Sequence, residues 1–177
     1  MAVASGFALF RSAIGQCAIA WSAAGVVAVQ LPARRVSETR TRIQKAHPEA
    51  REMVPPANIR HVIDELTALL AGEPRDLSDA PIDMEGLPPF HQRVYQMVRR
   101  IAPGSTACYG DIAARLGSVQ AARAVGQALA RNPLTLIVPC HRILSSSGGM
   151  GGFSAPGGTV TKRRLLRIEG VASRGPG

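Results

Sequence analysis

The sequence predicts an α+β protein made of a small α/β unit followed by a mainly helical half, and three observations carry that prediction. Short apolar runs bounded by turn residues lie near the start of the chain, while apolar stripes at helical spacing dominate the rest. A break at "EGLPPF" separates the two regimes with Gly86, Pro88 and Pro89. The charge balance changes at the same break. With 177 residues, 46% of them apolar, the chain is long enough to fill a core.

In order along the chain, Ile14 to Trp21 and Val26 to Leu31 are apolar runs joined by "SAAG", which predicts a β-hairpin. "VSETRTRIQKAHPEA" and "NIRHVIDELTALLAG" predict helices. The second carries Ile59, Val62, Ile63, Leu66, Leu69 and Leu70 at helical spacing and stops at Gly72 and Pro74. A short strand is expected around Pro81 to Met84. After the break, "PPFHQRVYQMVRRIAPG" predicts a helix with proline at its start and Pro103-Gly104 at its end. "YGDIAARLG" and "SVQAARAVGQALARNP" predict two more, joined at Gly117-Ser118, with Ser118 as the N-cap of the second. Leu134 to Val138 has the pattern of a buried strand. The division expected is residues 1–83, residues 84–172 and a tail at 173–177.

Three cysteines, Cys17, Cys108 and Cys140, with no C-x-x-C pair, argue against a disulfide framework and against a thiolate metal site. A reducing cytoplasm is the expected compartment. No basic segment precedes the first apolar residues and Arg11 interrupts them, so no targeting segment is expected. No stretch reaches the roughly 18 apolar residues of a membrane span, and no membrane partner is expected. His47, His61, His91, Cys17 and Cys108 show no ligand spacing, so no metal is expected. "SSSGGMGG" lacks the Lys-Ser/Thr ending of a phosphate-binding loop, and no cofactor is expected.

Residues 1–83 carry nine Lys/Arg and nine Asp/Glu. The second half carries the other twelve Lys/Arg against only Glu85, Asp111 and Glu169, so the whole net charge of +9 sits there. Such a half calls for a polyanion. Two helices meeting at a glycine-containing turn outline a helix-turn-helix, although Ala121, Ala122, Ala124 and Ala128 also suit close helix packing. Together with the charge, the outline favours DNA.

The chemistry sits in "IVPCHRIL", where Cys140 is followed by His141 and Arg142. A neighbouring imidazole and nearby cations favour the reactive thiolate. Three readings stand at this point: a buried structural thiol, a hydrolase nucleophile, or something rarer. Hydrolases take their histidine from a distant segment. On an extended segment adjacent side chains diverge, so His141 reaches Cys140 only through an intermediary such as water.

"NPLTLIVPCHRIL", with "GSTACYGDIAARLG" and "AARAVGQALARNP" before it and "TKRRLLRIEG" after it, closely resembles the O6-alkylguanine-DNA alkyltransferases, or methylated-DNA–protein-cysteine methyltransferases. The resemblance is close over residues 86–171 and extends to the first domain only in pattern and length. It implies a ribonuclease-H-like α/β domain followed by a winged-helix-like domain. It also implies irreversible, single-use transfer of an alkyl group from O6-methylguanine, and from O4-methylthymine, to Cys140. His141 is implied as the base acting through a water, Glu169 as the carboxylate that orients it, and Asn132 as the residue that fixes the turn. Lys162 is implied to stabilise the leaving guanine.

For DNA, the resemblance implies minor-groove contact by Ala122, Ala124 and Gly126, with small side chains suiting a narrow groove. Arg123 fills the gap left by the extruded nucleotide and Tyr109 helps rotate the base outward. Pro139, Phe153 and Ser154 line the lesion pocket. Arg93, Arg99, Arg100, Arg115 and Arg131 are expected as phosphate contacts or solvated surface. The partner is double-stranded DNA containing O6-alkylguanine, met by a monomer. Most of the family has tyrosine where Phe153 stands, and Ala155-Pro156 lengthens the loop "FSAPGG" by two residues. Phe153 is then expected to stack on the flipped base, and protonation of the leaving group falls to Lys162 or a loop N–H. Competing readings are a non-catalytic lesion-recognition relative, which typically lacks the acceptor cysteine, a helix-turn-helix regulator, and a cysteine hydrolase.

Overall fold

The computed structural model describes residues 2–172; the expected tail at 173–177 lies outside the described residues. The first half is a four-stranded sheet of order β3-β2-β1-β4, made of β1 (Gly6–Ser12), β2 (Gly15–Trp21), β3 (Val26–Gln30) and β4 (Arg51–Glu52). β1 and β2 form an antiparallel hairpin running from Gly6 opposite Trp21 to Ser12 opposite Gly15. β2 and β3 are antiparallel, whereas β4 joins β1 in parallel. The expected β2–β3 hairpin is present. β1 and β4 are strands beyond the expected hairpin. The strand expected around Pro81 to Met84 is reduced to a single parallel bridge, Ile82 to Val26.

Both faces of the sheet are covered, so β2 is apolar at nearly every position. Cys17, Ile19 and Trp21 point to one face and join the stripe Ile59, Val62, Leu66, Leu69 and Leu70 of α2 (Ala57–Leu70). Ala18 and Ala20 point to the other and meet Ile43 of α1 (Val36–Ala46). The small alanines let α1 approach closely, while the larger side chains fill the α2 side. Each fully buried Ile or Leu of that stripe contributes about 1.5–3 kcal/mol.

The second half holds α3 (Pro89–Val98), α4 (Tyr109–Arg115), α5 (Ala122–Ala130) and α6 (Gly158–Ile168), with a short parallel pair, β5 (Ala107–Cys108) and β6 (Ile143–Leu144). Val94, Tyr95 and Val98 of α3, Val125, Ala128 and Leu129 of α5, and Leu165 of α6 join the same apolar cluster as the sheet and α2. Tyr95 ties two of the helices by donating its hydroxyl to the Ala128 carbonyl at 2.7 Å.

The outer edge of β3 carries the joint between the halves. Val26 N donates to Pro81 O and Asp83 N to Val26 O; further along, Val29 N donates to Pro133 O at 2.8 Å. The edge is therefore closed by the linker and by the segment leading to Cys140. Among the described residues, no helix is long and apolar enough to cross a membrane.

Candidate active site and DNA-facing helices

The segment from Asn132 to Cys140 is not the strand expected at Leu134 to Val138. It is a buried turn with only isolated bridges, Leu134 to Val29 and Thr135 to Val138. Contiguous apolar residues mark burial without fixing the backbone. Leu136 has φ of 76°, the left-handed region that a branched side chain rarely adopts, and it is held there inside the core. Asn132 holds the turn from both ends. Its Nδ2 donates to Val138 O and its Oδ1 accepts from Leu134 N, each at 2.9 Å.

Pro139 is buried, and Cys140, His141 and Arg142 form a 3-10 turn rather than the extended segment expected. Cys140 is 8% exposed. Burial pushes its thiol above the ordinary value, and the Asn132 amide, the Lys162 cation and nearby backbone N–H groups oppose this without overcoming it. Desolvation outweighs the neighbouring cations, so the resting thiol keeps the proton that a base such as His141 is expected to draw.

His141 is fully buried, and its Nε2 lies 2.8 Å from Glu169 Oε1. Nδ1 is buried with no partner among the described residues. Burial holds the imidazole below its ordinary value; Glu169 opposes this, and Arg142 and Lys162 reinforce it. The ring is neutral at rest. Glu169 is pushed up by burial, but hydrogen bonds and charge from His141 and Arg142 win and bring it to about 2. Arg142 grips it with Nε on Oε2 at 2.9 Å and Nη2 on Oε1 at 2.8 Å, while Nη1 donates to Ile101 O at 2.6 Å.

Lys162 of α6 is fully buried, a rare placement that requires partners. Its Nζ donates to Ile143 O at 2.5 Å and to Gly152 O at 3.3 Å, and lies 5.9 Å from the centre of the Tyr109 ring. Burial lowers it to about 8, with Cys140 opposing. A Cβ on Gly126 would touch that ring at 3.7 Å, and one on Gly151 would lie 3.0 Å from its hydroxyl. Phe153 packs against the core and Ser154 is exposed. The additional Ala155-Pro156 is pinned rather than loose: Ala155 touches the core and Thr161 Oγ1 donates to Pro156 O at 2.6 Å. Gly157, with φ of 85°, starts α6, and a Cβ there would stand 2.2 Å from Thr161 Oγ1.

The helix-turn-helix outline is present as α4, a turn at Leu116 to Ser118, a 3-10 turn at Val119–Ala121, and α5. Ser118 is not the N-cap of α5; Ala121 occupies that place, and Ser118 precedes the 3-10 turn without a capping side-chain bond. Asp111 caps α4 by accepting from Cys108 N at 2.8 Å. Arg123 is exposed beside the half-buried Ala122 and Ala124. Arg93, Arg100, Arg115 and Arg131 are exposed as expected, but Arg99 is buried. It donates to Leu77 O and Ala80 O, linking α3 to the end of the first half.

The structure brings Cys140, His141, Glu169, Asn132, Lys162 and Tyr109 into one buried neighbourhood and leaves Arg123 at the surface. Arg142 is the neighbour of Glu169 that the sequence alone does not single out. The scarcity of acids was the available signal, since a rare buried carboxylate among many cations attracts more than one of them.

The profile of the family described as 6-O-methylguanine DNA methyltransferase, DNA binding domain, matches residues 89–171. A methylated-DNA–protein-cysteine methyltransferase of Mycobacterium tuberculosis is 41% identical over 121 residues, 68% of this chain and 70% of that protein. That of Methanothermobacter thermautotrophicus is 38% identical over 121 residues, covering 68% of this chain and 66% of the relative. The Mycobacterium tuberculosis alkyltransferase solved in complex with DNA superposes with a TM-score of 0.74 at 32% identity, covering 93% of this chain and 92% of the other.

Proposed function

Because the chain belongs to the methylated-DNA–protein-cysteine methyltransferase family, we propose that it repairs double-stranded DNA by direct reversal. It takes the alkyl group from O6-methylguanine, and from O4-methylthymine, onto Cys140 once per molecule. One observation carries this reading: Glu169 occupies His141 Nε2, which leaves the buried Nδ1 as the only ring atom open to a proton, on the residue next to a protonated buried thiol. The Cys140 proton passes through a bridging water to Nδ1 as Sγ attacks the alkyl carbon in line. The S–C bond forms, the C–O bond breaks, and its electron pair returns to guanine. Lys162 protonates that leaving group and a loop N–H stabilises it by donating a hydrogen bond, because Phe153 supplies no hydroxyl. Glu169 holds the imidazolium that forms.

Chemistry at O6 needs the nucleotide outside the stack, at about a few kcal/mol, less for a badly paired lesion. Arg123 fills the gap, Tyr109 turns the base, and Ala122, Ala124 and Gly126 rest in the minor groove. Phe153 stacks on the base in a pocket completed by Pro139 and Ser154. The finer description we adopt is a ribonuclease-H-like domain at 1–83 and a winged-helix-like domain at 84–172, in a cytoplasmic monomer. Cys140 stands against the non-catalytic recognition reading. Digestion and nucleoside analysis of excess lesion duplex after reaction tests the proposal: one guanine restored per protein and none with Cys140→Ala supports it. Repeated turnover, or no restoration, refutes it.

A further inference from the structure

The geometry points to Arg142 as a positioning residue that keeps His141 a neutral proton acceptor, by cancelling the Glu169 carboxylate on which the imidazole rests. In a bare His–carboxylate pair the anion pulls a proton onto the resting ring. Here the carboxylate is already neutralised: Arg142 covers both of its oxygens at 2.8 and 2.9 Å, and Gly104 N adds a contact to Oε2 at 3.4 Å. The pair is almost wholly out of water, with the Arg142 and Glu169 side chains 5% and 3% exposed, so its charges act at short range with little screening.

The guanidinium cannot drift from this place. Nη1 is anchored on the Ile101 carbonyl beyond the end of α3, and Arg142 sits in the same 3-10 turn as Cys140 and His141. Oε1 is shared between His141 Nε2 and Arg142 Nη2, so the hydrogen bond that orients the ring is kept while much of its charge is offset. The other groups facing the ring agree in sign or are neutral. Lys162 of α6 is a second cation, Cys140 is a protonated thiol, and Tyr95 of α3 and Tyr109 of α4 lie near Cys140 as neutral phenols. The consequence is a ring oriented as in a triad yet ready to receive the thiol proton at neutral and mildly acidic pH.

The inference rests on the proposed transfer, and its test separates the two. The pH dependence of single-turnover methyl transfer is measured for the wild type, Arg142→Gln and Arg142→Lys, alongside titration of the His141 ring by NMR in the wild type. Removing the cation exposes the carboxylate to the ring and should move the acid limb up by about one pH unit or more. Arg142→Lys, which keeps the charge but not the fork, should restore the limb towards the wild type. The wild-type ring should titrate below the ordinary value of about 6.5. An acid limb unmoved in Arg142→Gln overturns the inference, as does an equal shift in Arg142→Lys or a wild-type ring that titrates above the ordinary value. If Arg142→Gln does not fold, the ring titration and the lysine variant decide. A wild type that accepts no methyl group refutes the repair reading instead, and the ring titration still judges this one.

Discussion

Asn132→Ala removes the side chain that holds the turn carrying Cys140. Its two hydrogen bonds, both 2.9 Å, satisfy Leu134 N and Val138 O, and both partner residues have 0% exposure. Truncation leaves Leu134 N without water to replace the amide oxygen, while Val138 O keeps its bond from Cys140 N at 2.8 Å. An unsatisfied buried polar group costs about 1–3 kcal/mol, and the stranded Leu134 N predicts a loss of that size. The lower end applies if the turn relaxes, and it has reason to, because Leu136 is held at positive φ between the two contacts. Loss of the Asn132 amide also removes one of the groups that favour the Cys140 thiolate. Urea unfolding should therefore show a lower midpoint with an unchanged slope, and single-turnover transfer should fall by at least tenfold under conditions where the variant is still folded. A loss below about 0.5 kcal/mol with an unchanged transfer rate would refute the assignment of Asn132 as the clamp of this turn.

Arg123→Ala should slow transfer from a fully paired duplex by about tenfold or more and slow it less for a lesion opposite a mismatch, since a weakly paired base needs less help to leave the stack; equal losses on both duplexes would count against the gap-filling role. Arg99→Met should destabilise the protein by about 1–3 kcal/mol through the stranded Ala80 carbonyl, the Leu77 carbonyl keeping its bond from Ala80 N at 3.1 Å, yet leave the slope of log DNA affinity against log salt unchanged. A true phosphate contact would change that slope by about 0.9. Lys162, lowered by burial to about 8 from 10.5, binds a proton in the unfolded chain but not in the folded one between those values. The wild type should thus gain stability relative to Lys162→Met as pH rises from about 8 to 10.5, read as diverging urea midpoints; parallel midpoints would show that Lys162 is not held in that environment.

The parts of the fold legible in the sequence were those with a clear period and a clear stop. α2 declared itself by its stripe and by Gly72 and Pro74, and the β2–β3 hairpin by two apolar runs around a four-residue turn. β1 was missed because Arg11, a solvent-facing residue near its end, interrupts an otherwise apolar run. The turn at 134–138 looked like a strand because burial on all sides gives the same composition in either backbone; only the Asn132 clamp and the Val29 contact, neither local in sequence, select the turn. Ser118 lost its capping role to a 3-10 turn inserted before α5.

At the site, Cys140 and His141 are visible as neighbours, whereas Glu169, 28 positions further on, enters through the family resemblance and lies 2.8 Å from His141 in the structure. That the thiol keeps its proton despite the neighbouring cations has a physical reason. The sequence displays the cations around Cys140, but it does not display the depth of burial that outweighs them.

The most direct test of the account is the intact mass of the wild-type protein after incubation with excess duplex DNA carrying one O6-methylguanine, followed by mapping of the modified peptide. The account predicts a gain of one methyl group per molecule, located on Cys140, that does not increase with further substrate. Lesion DNA bound with no change in protein mass, or a methyl group found on another residue, would contradict it.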